Sequence, residues 1–503
     1  MSATLLLYPI FVPLVISVLL LFFWRRSKLQ RRISFFGNLL NVYVSVLLFH
    51  QVWTEGILIV QSGNWQAPFG ISFVGDTLAV TLVLLTSIVG LLVGVFAIPT
   101  IGRRRINYGF FPIFHFLILG LNGSFLTGDI FNLYVWFEII IISSFVLLTL
   151  GGQKEQLEGA MKYFTLNTLA SVFFLTAIAM VYGLTGSLNM ADISLKMMQV
   201  ENQNLVNVTA ILFLIGFGIK AAVFPFYFWL PASYHTPPAA ISAIFGGLLT
   251  KVGVYALLRS FTLLFEFNDT LQITLLILAI GSMLAGALGT FTQKNMVKAF
   301  SYLIICHIGY MILGLSLFTS AAIAATVFYL IHDIIAKSNL FLISGFIYRI
   351  QGTYQLPEMG GIYAKFPFYS FIIIISFFSL AGVPPLSGFW PKLALITESF
   401  EAGNYLGIAG IIFVSIITLL IISKVWSEAF WKKRDSTPSS DRIILFKDFK
   451  FSNRIQIIIP IITFTLLSLY IGLGAEHIQQ IALRISGELL DKEIYINSVF
   501  QHQ

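Results

Sequence analysis

One cysteine, Cys306, occurs in 503 residues, and Lys, Arg, Asp and Glu together make up only 10% of the chain. A single thiol excludes an internal disulfide and any thiolate-held cluster, and among apolar neighbours Cys306 reads as a small hydrophobe. Soluble domains carry about a quarter charged residues, so this shortage, with 57% hydrophobic residues and a mean hydropathy of +0.89, excludes that class. No basic stretch outside the apolar runs is interleaved with aromatics, so the net charge of +8 is not the mark of a nucleic-acid partner. No flavin, quinone or iron–sulfur signature is visible, and neither a cofactor nor a metal site is expected. The first apolar run, Ala3 to Trp24, lacks a small-residue cleavage pattern and reads as a retained helix.

What the chain has is long apolar runs. A hydrocarbon core of about 30 Å needs roughly 20 apolar residues at 1.5 Å each. Fourteen runs qualify, at 3–24, 33–53, 76–98, 109–127, 131–150, 160–182, 207–229, 239–261, 271–290, 297–318, 320–346, 368–398, 405–427 and 454–474. They lack the alternation of membrane strands, so the expected fold is an all-α integral membrane protein of about 14 transmembrane helices. Loops after odd-numbered spans hold 22 of the 30 Lys and Arg residues, including Arg25, Arg26, Arg103 to Arg105 and the group between Lys424 and Arg454. That bias puts these loops in the cytoplasm and both termini outside. The connection from Lys424 to Arg454, with the basic segment Lys432 to Pro438, reads first as a plain topology signal in a cytoplasmic loop near anionic lipid headgroups and second as a docking surface, and Glu476 to Gln503 as a polar amphipathic tail outside.

Titratable residues inside these runs are the informative exceptions. Lys220, Lys251, Lys337 and Lys392 fall within spans, as do Glu138 and His332, and each lysine at mid-membrane costs about 2.5–3.5 kcal/mol on insertion scales. Such groups point to a proton or cation pathway. Glu138 needs a nearby cation to ionise, and Lys220 is its expected partner. Lys251 sits among Gly246, Gly247 and Gly253, which let helices approach closely. Asp333 and Lys337 are one turn apart, the spacing of a structural ion pair, whereas His332 points elsewhere and suits a proton relay. His307 reads as a packing histidine; Asp76 and Asp129, at outer helix ends, read equally as helix caps or a cation entrance.

Two spans should break. Pro225 interrupts the seventh, near Lys220, and Pro384 and Pro385 interrupt the twelfth, near Lys392, because proline removes a backbone donor and clashes with the preceding turn. Lys220 would then lie at the negative end of one half-helix, and Lys392 would face the positive end of another. Breaks at matching places in halves of opposite direction suggest two inverted five-helix repeats, spans 4–8 and 9–13. The expected divisions are 1–108, 109–265, 266–430 and 431–503.

The run from Phe224 to Tyr255, containing Pro225, Pro231, Pro237, Pro238 and Lys251, resembles the signature of antiporter-like subunits shared by Mrp-type sodium/proton antiporters and respiratory complex I. Gly382-Val-Pro-Pro-Leu-Ser-Gly-Phe-Trp-Pro-Lys392 resembles their second broken helix, and Thr127 to Glu138 is most similar to the D-type subunits. The resemblance implies a proton path through Glu138, Lys220, Lys251, His332 or Lys337, and Lys392. It also implies a bacterial plasma-membrane complex with other antiporter subunits as partners, exchanging sodium for protons. Beside Lys392 the only embedded carboxylate is Glu398, about two turns on, so no sodium site is identifiable. The competing reading is a proton-pumping membrane subunit of a redox complex, either complex I or a membrane-bound hydrogenase. A carrier of an organic solute is weaker, since the embedded groups are titratable rather than shaped for a substrate.

Overall fold

Twelve helices among the described residues are long and apolar enough to cross a bilayer, the first being Thr4–Phe22 and the last Phe451–Leu473. Two shorter apolar helices, Phe110–Leu126 and Pro367–Ala381, stand where the fourth and twelfth spans are expected. The structure is a computed structural model describing residues 3–433 and 446–501; residues 434–438 of the basic loop lie outside the described residues. A short antiparallel hairpin, Leu58–Gln61 with Ser72–Gly75, joins the second and third spans and was not anticipated.

Two helices, Ala239–Leu263 and Ser320–Gln351, are surrounded by protein along their whole apolar length. A helix buried on all sides is normally apolar on all sides. These two instead carry Lys251 and the group His332, Asp333 and Lys337, all with no solvent exposure. The charged residues therefore occupy the centre of the bundle, away from lipid.

Both breaks occur, and their backbones match residue for residue. The first broken helix runs Gln203–Ala221 and resumes at Trp229–Ser233; the second runs Pro367–Ala381 and resumes at Phe389–Glu401. Each first segment ends on a left-handed residue, Ala222 (φ 59°) and Gly382 (φ 86°). Each is closed by a bond five residues back, Val223 N–H to Gly218 at 2.9 Å and Val383 N–H to Phe378 at 3.0 Å. Both are Schellman endings, and both place a cis proline, Pro225 and Pro385, at the same following position. Pro391 falls in the first turn of its segment, where a missing N–H is harmless.

The tail is amphipathic as expected and it packs. Helix Ala475–Leu490 buries Ile478, Ala482, Ile485 and Leu489, and Arg484 donates to the carbonyls of Val52 and Trp53 at 3.0 and 2.7 Å. Asp76 caps Thr77–Thr100 through Ala79 N–H at 2.8 Å and pairs with Arg259, so capping and pairing account for it without a cation entrance.

Close approach of the first broken helix to Ala239–Leu263 depends on Gly253, where an added Cβ would lie 2.5 Å from the Ala221 backbone nitrogen. Gly253→Val must push that break aside, an overpacking cost of about 1–3 kcal/mol. Thermal melting of the purified complex should show a lower Tm for this variant, although no titratable group is altered.

Candidate ion-translocation site

The site is assembled from the first broken helix to the second. Glu138 lies mid-way along Ile130–Thr149, and Lys220 is the penultimate residue of Gln203–Ala221, next to that segment's partly negative carbonyl end. The expected direct pair is not formed. Lys220 Nζ and Glu138 Oε1 are buried without hydrogen-bond partners, although within electrostatic reach of each other. The Lys220 ammonium stands 5.5 Å from the centre of the Phe137 ring, a cation–π contact that partly replaces lost hydration.

Lys251 follows a π-helical turn, Phe245–Leu249, and its Nζ donates back to the Gly246 carbonyl at 2.8 Å. A π turn disturbs the regular backbone ladder, and such turns concentrate at functional positions. The same ammonium pairs with Asp333 Oδ2 at 2.7 Å, and Asp333 Oδ1 meets His307 Nδ1 at 2.8 Å. This corrects two expectations. Asp333 reaches across to Lys251 instead of along its own helix to Lys337, and His307 belongs to the charged cluster instead of merely packing. The four-residue spacing was a misleading signal, because a fully enclosed helix has choices on every side. Lys337 Nζ is left buried without a hydrogen-bond partner, within electrostatic reach of Asp333.

His332 Nδ1 meets Ser387 Oγ at 2.8 Å, in the gap of the second broken helix. Ser387 also contacts Ser379 and Ser468 at 2.7 and 2.8 Å, forming a hydroxyl triad that sequence reasoning missed. Lys392 departs from expectation in direction. It lies near the start of Phe389–Glu401, but its Nζ turns back to donate to the carbonyls of Ala381 and Leu380, at 2.9 and 3.3 Å. It therefore binds the negative end of the first segment, as Lys220 neighbours its own, because Gly382 leaves room for the stem. Glu398 accepts from Thr319 Oγ1 at 2.6 Å, at the far end of that segment. Among the described residues no group of three or more His, Cys, Asp or Glu is placed to hold a metal ion.

An enclosed row of titratable side chains, flanked by two matching broken helices in a polytopic bundle, defines a membrane subunit built around charge. A family profile described as NADH:quinone oxidoreductase/Mrp antiporter, transmembrane, matches residues 127–418. Relatives named as the D-type component of a Na(+)/H(+) antiporter come from Alkalihalophilus pseudofirmus, 42% identical over 99% of both chains, and Bacillus subtilis, 37% identical over 98% of both. Among solved structures, a chain of the Mrp complex from Dietzia superposes with a TM-score of 0.90 at 27% identity, covering 99% of this chain and all of that one. A chain of the archaeal membrane-bound sulfane sulfur reductase gives 0.88 at 26% identity, with the same coverage. Thermus thermophilus complex I, at 22% identity and a TM-score of 0.80 over 97% of this chain and all of that one, shares the fold. The chain belongs to the NADH:quinone oxidoreductase/Mrp antiporter transmembrane family, and its full-length similarity is to the D-type antiporter components.

Removing one member of a buried ion pair leaves the other uncompensated, at about 3–5 kcal/mol. Asp333→Asn should therefore lower the Tm of the complex sharply, and adding Lys251→Met should recover much of the loss; equal melting of the single and double variants would show the pair to be unimportant. At the rim, Asp129 caps Ile130–Thr149 through Asn132 N–H at 2.7 Å, and burial pushes its carboxyl up to about 6. The folded chain thus holds a proton that the unfolded chain releases near 3.8, so stability falls as pH rises from there to about 6. Asp129→Asn keeps the cap and should flatten that part of a Tm-against-pH profile.

Proposed function

We propose that this chain is the proton-translocating D-type subunit of a multisubunit sodium/proton antiporter in a bacterial plasma membrane. In this reading protons pass along Glu138, Lys220, Lys251, the His332/Lys337 region and Lys392. The observation that carries it is the enclosed line of titratable groups running from one broken helix to the other. Lys251 and Asp333 bridge its two parts. Similarity to D-type antiporter components over 99% of both chains supplies the transported ions by analogy.

The concentration of basic residues in alternate loops supports an orientation with both termini outside. The division into inverted units at 109–265 and 266–430 is supported by the matching break backbones. Each half offers an ammonium at the carbonyl end of an interrupted helix, where the partial negative charge favours the cation until it gives up its proton. Among the described residues no carboxylate cage stands beside Lys392, which favours a sodium route involving another subunit. Iron–sulfur or flavin subunits co-purifying in mild detergent would favour the redox reading, and small membrane subunits alone the antiporter.

In inverted vesicles containing the whole complex, Glu138→Ala, Lys220→Ala and Lys392→Ala should each abolish sodium-dependent proton exchange while the subunits still assemble. Full exchange by Lys220→Ala would remove the lysine line from the mechanism.

A further inference from the structure

A cleft of about 600 Å³ opens at the end of the bundle that carries most of the basic residues, away from the titratable line. One wall is the short helix Arg103–Asn107 between the third and fourth spans, and the other is the turn 149–153 before helix Lys154–Thr185. The walls are fixed to the bundle and to each other: Ile106 is fully buried, and Arg105 Nε donates to the Leu150 carbonyl at 2.7 Å. Gly151 permits that approach, since a Cβ there would lie 2.8 Å from Arg105 Nη2. The Arg104 guanidinium stands 5.9 Å from the centre of the Tyr108 ring, and both side chains line the cleft.

Like charges gather here. Arg349 is within electrostatic reach of Arg105, and Arg31 within reach of Arg103. Burial, and then Arg104 and Arg349, hold the Arg105 guanidinium below its usual range. Among the described residues none of Arg31, Arg103, Arg104 and Arg105 is within ion-pair distance of a carboxylate, and Arg31 Nε is buried without a hydrogen-bond partner. A topology signal needs only that basic residues lie on one side of the membrane, which fully solvated side chains satisfy. Drawing guanidinium groups together and partly out of water opposes folding until an anion joins them.

The surroundings select the anion. Tyr108 is 57% exposed, and Trp24 packs so closely on Gly109 that a Cβ there would lie 2.6 Å from its ring. Such rings mark the depth of lipid headgroups. Leu150 and Tyr108 add an apolar side to the cleft, which a free phosphate would not use. Arginine forks match phosphate oxygens in pairs, and basic pockets between membrane helices suit acidic headgroups.

We propose that this cleft binds the headgroup of an anionic phospholipid, its phosphate held between Arg104 and Arg105 and its glycerol against Leu150 and Tyr108. The site is independent of what the titratable line conducts.

The test titrates the purified whole complex in mild detergent with short-chain phosphatidylglycerol, reading binding by native mass spectrometry and by Tm. Arg104 is exposed and its side chain makes no hydrogen bond among the described residues, so Arg104→Gln should fold normally. Bonds to charged groups are strong enough that this change should weaken the tightest phosphatidylglycerol site about tenfold and shrink the lipid-induced rise in Tm. Arg104→Lys should bind with intermediate affinity, and Lys432→Gln, on a separate basic loop, like wild type. Phosphatidylcholine with the same chains should not bind there, and inorganic phosphate should not displace the lipid. Wild-type affinity in Arg104→Gln, or equal binding of phosphatidylcholine, would overturn the site. Displacement by millimolar inorganic phosphate would reveal a free-anion site and overturn the lipid assignment.

Discussion

The buried pair between Lys251 and Asp333 is the contact on which the rest of the bundle turns. Its two helices, Ala239–Leu263 and Ser320–Gln351, are the ones enclosed on every side, so neither charge can reach water or lipid headgroups. Taking two ions out of water costs several kcal/mol each, which close contact and further hydrogen bonds must offset. Here the Gly246 carbonyl supplies one such bond to the ammonium and His307 another to the carboxylate. The π turn, the glycines that let Phe341 and Ser338 approach, and the placement of His307 all serve this one contact.

The two broken helices solve the same electrostatic problem for the flanking lysines by a different means. Neither Lys220 nor Lys392 has a carboxylate in contact; each instead lies beside the exposed carbonyls of a helix that stops in mid-bundle. Partial charges of that size hold an ammonium far less tightly than a full carboxylate does. The middle of the line is therefore firmly paired and its neighbours loosely held.

Much of this was legible in the residues. The apolar runs located the spans, prolines located both breaks, and lysines in apolar context named the main charged positions, because a charge in a membrane helix is costly enough to be informative by itself. What could not be read was which group each charge contacts. Helical spacing assigns Asp333 to Lys337, yet an enclosed helix presents all its faces to neighbours and spacing along one face loses its force. The direction of Lys392 escapes the sequence for a related reason: its backbone position gives the near end of its own segment, but a four-carbon stem over Gly382 reaches the end of the preceding one. The serine triad around Ser387 leaves no sequence signal, since serines are common in packed membrane helices.

A firmly paired centre also constrains how the line can operate. If protons follow the proposed line, the Lys251 ammonium cannot give one up while it holds Asp333 without leaving a carboxylate buried and less compensated, so passage through the centre would require the pair to loosen. Lys337, buried nearby without a hydrogen-bond partner and one helical turn from Asp333, is within electrostatic reach of that carboxylate. The sequence spacing that failed to give the resting pair thus describes a second arrangement open to the same aspartate.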